Sequence, residues 1–482
     1  LLSSTIIFRR LLFVDMDGTL IHSDTLWEQI IKVIRNPFLL PGLIFSVFQG
    51  KLAFKQYCLT HAGSLDPSIL PYNQDVLKSI KQAKANGSTI ILCTAALYDI
   101  AHNVSSYLNC FDDVLSSSDT INLSSFSKRD AIRQYANSEQ FDYIGNSHTD
   151  IPVWNLSERA IIAKPEHGLV SKVEKSGITV HIVSKNTSFS NYVSIIIKQI
   201  RVYQWIKNAL IFIPFLLAHI INYDVIIQSL CAFLCISLSA SAVYIYNDLM
   251  DLDADRQHHR KKNRPLASGA FSIPHAFLFI PILIFSAYLL SVIYLSLQFT
   301  LLLSVYLLLT TFYSISFKKI AIVDVILLAA LYTLRLIAGG IANNVVLSPW
   351  LLGFGMFVFL SLACVKRYTE VLLHADEHAK QIAGRGYTSS DGSILLNAGI
   401  SSAMISILVL ALYMNSTEVS KLYHNPLILW ILCPIFMIWL LRVWLIAHRG
   451  NMHDDPIIFM AKDSFSYIMF SLILAVVLLA AL

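Results

Sequence analysis

Charge is what this sequence is short of. Asp, Glu, Lys and Arg make up 14% of its 482 residues, where an ordinary soluble domain carries about 25%, and the mean hydropathy is +0.60. A wholly soluble enzyme is excluded. The seven cysteines form no CxxC pair and the histidines fall at no zinc-binding spacing, so neither a thiol redox motif nor a zinc-organised fold is expected. The cysteines read instead as small apolar residues. Internal repeats and low-complexity tracts are also missing, and with this composition disordered and collagen-like classes are excluded. The opening LLSSTIIFRRLLFVDMDG lacks the basic start, apolar stretch and small-residue cleavage site of a signal peptide, which places the soluble part in the cytoplasm as an expectation.

What the sequence does have changes near residue 188. Basic and acidic residues balance up to that point, so the whole +5 excess falls after it. The reading is a soluble domain over 1–188 followed by a membrane domain over 189–482. A spanning helix needs about 20 mostly apolar residues, and about nine transmembrane candidates follow Arg201, near 207–222, 225–246, 271–295, 298–316, 321–342, 349–365, 394–414, 426–446 and 464–482. The loops after the second, fourth, sixth and eighth carry the charge, whereas the alternate loops carry one lysine, Lys421, and no arginine. Positive loops stay on the cytoplasmic side, which predicts a multi-pass protein of the cell inner (plasma) membrane with its charged loops and soluble domain on the cytoplasmic face.

Before residue 188, FVDMDG, TIILCTA and FDYIGNS read as short buried strands separated by helical patterns, a parallel α/β arrangement. Residues 21–86 add helical sequence between the first two strands, read as a cap. Its run Phe38 to Phe48 is too short to cross a bilayer and suits contact with a membrane surface.

Asp15 and Asp17 follow the first strand in DMDGTL, and ligands of open parallel sheets bind where strands end. Paired carboxylates oppose each other's ionisation unless a cation or proton intervenes, so they suit a Mg²⁺-assisted nucleophile beside a general acid/base. Thr94, Lys128 and Asp150 follow in order, in ILCT, SFSKRD and GNSHTD. This ordered set resembles the haloacid dehalogenase superfamily of phosphatases over residues 11 to about 185. The resemblance implies that Asp15 attacks phosphorus, that Asp17 protonates the leaving oxygen and then activates water, and that Thr94 and Lys128 hold phosphate oxygens. It also implies a Mg²⁺ held by Asp15, the Asp17 carbonyl and the last motif, where this chain has Asn146 in place of the usual aspartate, with Asp150 gaining weight as a ligand.

A second acidic set, Asn247, Asp248, Asp251 and Asp255, follows the apolar run SAVYIY within one arc of a helix, while Asp253 points the other way and reads as solvated. Carboxylates at the end of a membrane helix suit cations, and hard oxygen ligands plus substrate phosphates suit Mg²⁺ on a diphosphate. NDLMDLDAD resembles the first aspartate-rich motif of the UbiA superfamily of intramembrane prenyltransferases, as do Tyr313, Ser314, Phe317 and Lys318 and the run VDVILLAALYTLRLIAGG. Most members have a second aspartate-rich motif where this chain has Lys366, Arg367, Tyr368 and Glu370. With RVYQWIKN and NDLMDLDADRQHHRKKNRP, that departure resembles the polyprenyl-phosphate (decaprenyl-phosphate) phosphoribosyltransferase branch. The resemblance implies phosphoribosyl diphosphate bound with Mg²⁺ at Asn247, Asp248, Asp251 and Asp255, and a polyprenyl phosphate as acceptor. His258, Lys261, Arg264 and Lys318 are candidates for the sugar's phosphates, and Lys207, Lys366 and Arg367 for the lipid phosphate, with Tyr368 and Glu370 beside them. Asp324 and Arg335 lie on one helical face about three turns apart, facing the bundle interior and unable to pair with each other. Arg442, Arg449, Asp454, Asp455, Lys462 and Asp463 form a charged turn with no assigned role.

The expected activity is therefore bifunctional: transfer of 5-phosphoribosyl to a polyprenyl phosphate, then removal of the 5-phosphate by the fused phosphatase, in cell-envelope biosynthesis. No nucleic-acid partner is expected, and a homo-oligomer is compatible with the reading. Two other classes stay open on sequence alone, a prenyltransferase joining a prenyl diphosphate to an aromatic acceptor and a non-enzymatic polyprenyl-phosphate carrier with a degenerate phosphatase domain.

Overall fold

The computed structural model describes residues 10–157, 159–373, 385–416, 419, 423–452 and 455–481. Residues 1–9 of the opening segment, the stretch 374–384 of the charged loop after Lys366, Lys421 and Asp454 lie outside these. The described chain folds into two compact units, one running to Ile200 and including Ile245–Phe279, the other comprising Arg201–Tyr244 and Ile280 onward. The segment that carries the second acidic set groups with the α/β unit.

In the first unit six strands form one parallel sheet: β1 (Leu11–Val14), β2 (Thr89–Leu97), β3 (Asp113–Ser117), β4 (Phe141–Gly145), β5 (Arg159–Ala163) and β6 (Thr179–Ser184), in the order β3-β2-β1-β4-β5-β6. All residues of β1 and β4 are buried, as expected of strands covered by helices on both faces. The sequence pattern exposes β1, β2 and β4. DVLSS and TVHIVS carry polar residues and lack a continuous apolar run, whereas RAIIA has such a run in Ala160–Ala163 but no acidic or phosphate-binding motif at its end to draw attention to it.

The cap is smaller than its reading of 21–86. Helices Thr25–Ile34, Leu40–Phe48 and Lys51–Ala62 form it, whereas Gln74–Ala85 buries Val76, Ile80 and Ala83 in the core beside Leu12, Ile90 and Leu92 and so belongs to the sheet's helical layer. Asp24 starts the first cap helix by accepting from the Leu26 and Trp27 amides. On the cap, Phe38, Phe45 and Phe48 are 91%, 64% and 83% exposed, leaving an uncharged apolar face on Leu40–Phe48.

Two contacts bind the segment 245–279 to the cap. Glu28 and Arg256, each almost wholly buried, form a two-pronged ion pair (3.0 and 2.6 Å), and Arg256 also donates to the Ala267 carbonyl. Gly269, with φ of +72°, packs so close to His22 that an added Cβ would sit 2.6 Å from the histidine Cβ.

Among the described residues eight helices are long and apolar enough to cross a membrane: Tyr223–Met250, Ile273–Tyr294, Leu297–Ile315, Val323–Ala342, Pro349–Leu372, Ser389–Met414, Pro426–His448 and Ser464–Ala481. They match the second to ninth candidates. The first candidate falls on a 3-10 stretch, Val202–Phe212, leading into the short α-helix Ile213–Leu217, and with Phe189–Gln199 this stretch forms a bent pair that is also long and apolar enough to span.

Candidate functional site

β1 delivers Asp15 to the carboxyl end of the sheet, where the connections diverge to either side of β1. The Asp15 amide donates to the Ile144 carbonyl of β4 (2.9 Å), fixing the carboxylate beside the β4 exit. Lys128, on helix Phe126–Ala136 and 4% exposed, donates to Asp15 Oδ1 at 2.8 Å. The Thr19 hydroxyl lies 3.2 Å from both Asp15 Oδ2 and Asn146 Oδ1, so these two oxygens converge on one point. Asp17 accepts from the Thr25 amide (2.8 Å) and hydroxyl (3.2 Å), which ties it to the start of the cap. Thr94 lies inside β2, fully buried, its hydroxyl accepting from the Ala96 amide at 3.1 Å. Gly18 is required at its place, because at φ +75° an added Cβ would lie 2.5 Å from Asn146 Nδ2. Asp15, Asp17, Thr94, Lys128 and Asn146 line a common cleft of about 500 Å³.

Asp150, expected to reinforce a metal site, does not line that cleft. Its Oδ1 accepts from Tyr143 (2.6 Å) and Lys128 (3.4 Å), and its Oδ2 from the Asn146 and Ser147 amides (3.1 and 3.0 Å). Asp150 therefore shapes the loop that presents Asn146 and steadies Lys128. Burial pushes Asp15 up to about 6, with Lys128 opposing it. Asp17 is held well above the usual carboxylate range by burial and by Asp24. Against the effect of burial, Asp15 and Asp150 keep the Lys128 ammonium above the ordinary lysine range, so it stays a cation. The cleft thus holds two carboxylates whose proton affinity is raised by burial, with the Lys128 cation against one and Asp24 against the other, the kind of unequal pair that a nucleophile and a general acid require. The convergent oxygens of Asp15 and Asn146 are hard donors and fit Mg²⁺.

In the second acidic set, helix Tyr223–Met250 ends one residue before Asp251, and the short helix Leu252–Gln257 follows. Asp248 and Asp255, both buried, converge on Arg264, whose Nη1 donates to Asp248 Oδ1 (3.1 Å) and Asp255 Oδ2 (2.5 Å). Gln199 donates to Asp248 Oδ2 at 3.0 Å. Two carboxylates sharing one cation fit Mg²⁺, which is commonly held by one or two carboxylates with substrate phosphates completing its shell. Among the described residues no three His, Cys, Asp or Glu side chains converge tightly enough to hold an ion unaided. Arg264, expected on a substrate phosphate, is here the counter-ion of the set itself. Asn247 and Asp251 are half-buried. Asp253 does point away, but it pairs with Arg35 at the end of the first cap helix (2.9 Å) and is not merely solvated. His258 accepts from the Arg260 and Lys261 amides in an exposed turn, and Lys261 is exposed.

In the second unit, Lys207 and Lys366 meet on one buried carboxylate: Asp455 Oδ2 lies 2.7 Å from Lys207 Nζ and 3.0 Å from Lys366 Nζ. Against burial, the two lysines hold the Asp455 carboxyl below its usual range. Arg367, read as an anion contact, is 1% exposed and already committed. It pairs with Asp324, donates to Glu370 (2.6 Å) and to the Tyr313 hydroxyl (2.6 Å), while Tyr313 donates to Asp324 (2.7 Å). This knot fastens three membrane helices together. Arg335 and Asp324 do not pair, as their spacing requires; Arg335 donates to Asn208 (2.7 Å) and Tyr306 (3.0 Å). Tyr368 bonds His448 (2.8 Å), and Lys318 is half-buried after helix Leu297–Ile315. An apolar cavity of about 790 Å³ is lined by Ile206, Leu210, Phe354, Phe359, Trp439 and Ile457, which include the sequence neighbours of Lys207.

Sequence reasoning missed Glu28, Arg256, Gln199 and Asp455. Their partners are distant in sequence, so no local spacing could have paired them.

Residues 210–480 match the UbiA prenyltransferase family. The chain is 36% identical over 472 residues to the uncharacterized protein y4nM of Sinorhizobium fredii, a match covering 97% of this chain and 90% of that protein. It is 34% identical over 188 residues to the decaprenyl-phosphate phosphoribosyltransferase of Corynebacterium glutamicum, covering 38% of this chain and 57% of the relative. Among solved structures, a HAD family hydrolase from Salmonella enterica, t0658, aligns at 14% identity with a TM-score of 0.27, covering 36% of this chain and 66% of that one.

Proposed function

The chain belongs to the UbiA prenyltransferase family, and on that premise we propose that it is a bifunctional enzyme of the cell inner (plasma) membrane with both active sites on the cytoplasmic face. Its membrane domain transfers 5-phosphoribosyl from phosphoribosyl diphosphate to a polyprenyl phosphate. Its haloacid dehalogenase-like domain then removes the 5-phosphate, giving polyprenylphosphoryl ribose.

The observation that carries this reading is the pair Lys207 and Lys366 on Asp455. Lys366 stands where a prenyltransferase would place a second set of metal-binding carboxylates. A site built of lysines attracts an anionic acceptor directly, which suits a lipid phosphate and not a neutral aromatic ring. The name of the Corynebacterium relative supports the same substrates, and the apolar cavity suits a prenyl tail.

In the transfer, an oxygen of the lipid phosphate attacks the anomeric carbon of the sugar as the bond to pyrophosphate breaks. The acceptor is already an anion and needs no general base; Lys207 and Lys366 neutralise and orient it. Asp248, Asp251 and Asp255 would hold a Mg²⁺, which would supply charge neutralisation to the diphosphate leaving group. In the phosphatase, Asp15 attacks phosphorus, the ester bond breaks, and Asp17 gives its proton to the leaving oxygen. Asp17 then takes a proton from water, whose oxygen displaces the aspartyl carboxylate. Lys128 and Thr94 hold the phosphate, and Asp15 and Asn146 would hold a Mg²⁺.

The test is to incubate the purified protein with phosphoribosyl diphosphate, Mg²⁺ and a polyprenyl phosphate and to weigh the lipid products. Polyprenylphosphoryl ribose is expected. Prenylation of 4-hydroxybenzoate from a prenyl diphosphate would replace this reading with that of an aromatic prenyltransferase.

A further inference from the structure

The phosphatase cleft contains polar groups that the hydrolysis does not use, His22, Ser23 and Gln29 among them. Gln29 is 1% exposed and Ser23 is 9% exposed, and both line the cleft together with Asp15 and Lys128. Gln29 Nε2 and Ser23 Oγ have no hydrogen-bond partner within the protein. The contrast with the adjacent residue is instructive: Glu28, equally buried on the same helix, is fully matched by Arg256. Buried donors are almost always satisfied, and an exception at a ligand cleft points to a partner supplied by the ligand.

The positions of the two groups fit that role. The Ser23 carbonyl accepts from the Gly18 amide (3.2 Å) and the Thr25 amide donates to Asp17 (2.8 Å), so residues 17–25 form one loop that carries both the acid and the unmatched hydroxyl. A leaving group released by Asp17 is therefore presented to this loop. Both unmatched groups are neutral. Asp17 and Asp24 in the same cleft disfavour a further anion, and Lys55, the cap's cation there, is bound to the Ala95 carbonyl (2.6 Å) and Asn122 (2.7 Å). The hydroxyl oxygens of a sugar are neutral groups that both accept and donate, which matches an amide N–H and a serine hydroxyl.

We infer that Ser23 and Gln29 determine specificity in the phosphatase by hydrogen-bonding the hydroxyls of a sugar whose phosphate sits at Asp15, Thr94 and Lys128. The inference rests on the phosphatase reading given above and adds the class of leaving group and the residues that read it.

The full-length protein in detergent with Mg²⁺ is assayed on p-nitrophenyl phosphate, which has no hydroxyls, and on ribose 5-phosphate. Sites built to bond a hydroxyl discriminate strongly when the bond is removed. Gln29→Leu should cut kcat/KM for ribose 5-phosphate about tenfold or more, with Ser23→Ala acting in the same direction, while p-nitrophenyl phosphate stays within about twofold. Because neither group has a protein partner to lose, the melting temperature of both variants should match or exceed that of the wild type. Equal losses on both esters, or unchanged discrimination, would overturn the recognition role while leaving the phosphatase intact. A wild type inert toward both esters would overturn the phosphatase reading, and this inference with it.

Discussion

Asp15 and Asp17 occupy one loop yet are given different tasks by their neighbours: Lys128 stands against the first, and Asp24 and burial act on the second. Asp15 must be ionised to attack, and burial has pushed it up to about 6. Phosphate release should therefore fall as pH drops through about 6, since the protonated carboxyl is no nucleophile; a pH–rate profile of the phosphatase, run apart from transfer, checks this. Asp15→Asn removes the nucleophile while Thr94 and Lys128 keep the phosphate pocket. The lipid product should then accumulate heavier by one phosphate group, measured by mass spectrometry, and identical products from variant and wild type would sink the coupled reading. In the second acidic set, Asp251→Asn should abolish transfer because it removes a carboxylate from the face that meets the diphosphate. Asp253→Asn should leave transfer intact, its partner being Arg35, and cost no more than the ~0–1 kcal/mol of a surface pair. Equal loss in both variants would dismiss the helical-face argument.

At the scale of elements, the Glu28–Arg256 pair joins the first cap helix to the short helix carrying Asp255. Removing one partner of a buried pair leaves an uncompensated charge and costs about 3–5 kcal/mol. Glu28→Ala and Arg256→Ala should each lower the unfolding midpoint of the α/β unit, and a double variant should be less than additive in a thermal or denaturant melt. This pair marks where the sequence stopped being legible. The strand before Asp15 is an uninterrupted apolar run, the one before Asn146 is apolar but for Asp142, and eight membrane helices follow from length and hydropathy, so these elements could be read directly. Asp15, Thr94, Lys128 and Asn146 stand at strand ends or in spaced motifs and could be placed in one cleft. Glu28, by contrast, reads as an ordinary solvent-facing helix residue, and its partner comes 228 residues later. Arg367 misled for the same reason: its charge is visible in sequence, but Asp324 and Tyr313, which consume it, lie on other helices.

For the whole molecule, the grouping of 245–279 with the α/β unit predicts that this unit depends on sequence beyond residue 188. A protein cut after residue 188 keeps Glu28 but loses Arg256, its ion-pair partner. Such a fragment should melt at a lower temperature than the same unit within the intact chain, followed by hydrogen exchange on the first cap helix. Protection in the fragment equal to that in the full protein would show the α/β domain to be self-sufficient.

Asp455 has one more consequence, for turnover. Under the proposed transfer, a polyprenyl phosphate would arrive as a monoester with a charge of about −1.5 to −2 near neutrality, whereas the phosphodiester formed would carry a single negative charge there. The dianion competes well against the carboxylate for Lys207 and Lys366, and the monoanion competes poorly, so completing the reaction hands the lysines back to Asp455. The carboxylate acts as a built-in eluent that discharges product without weakening capture of substrate to the same degree. Asp455→Asn should accordingly sharpen product inhibition: the lipid phosphodiester should inhibit at lower concentration than in the wild type, and initial rates should decay sooner as it accumulates.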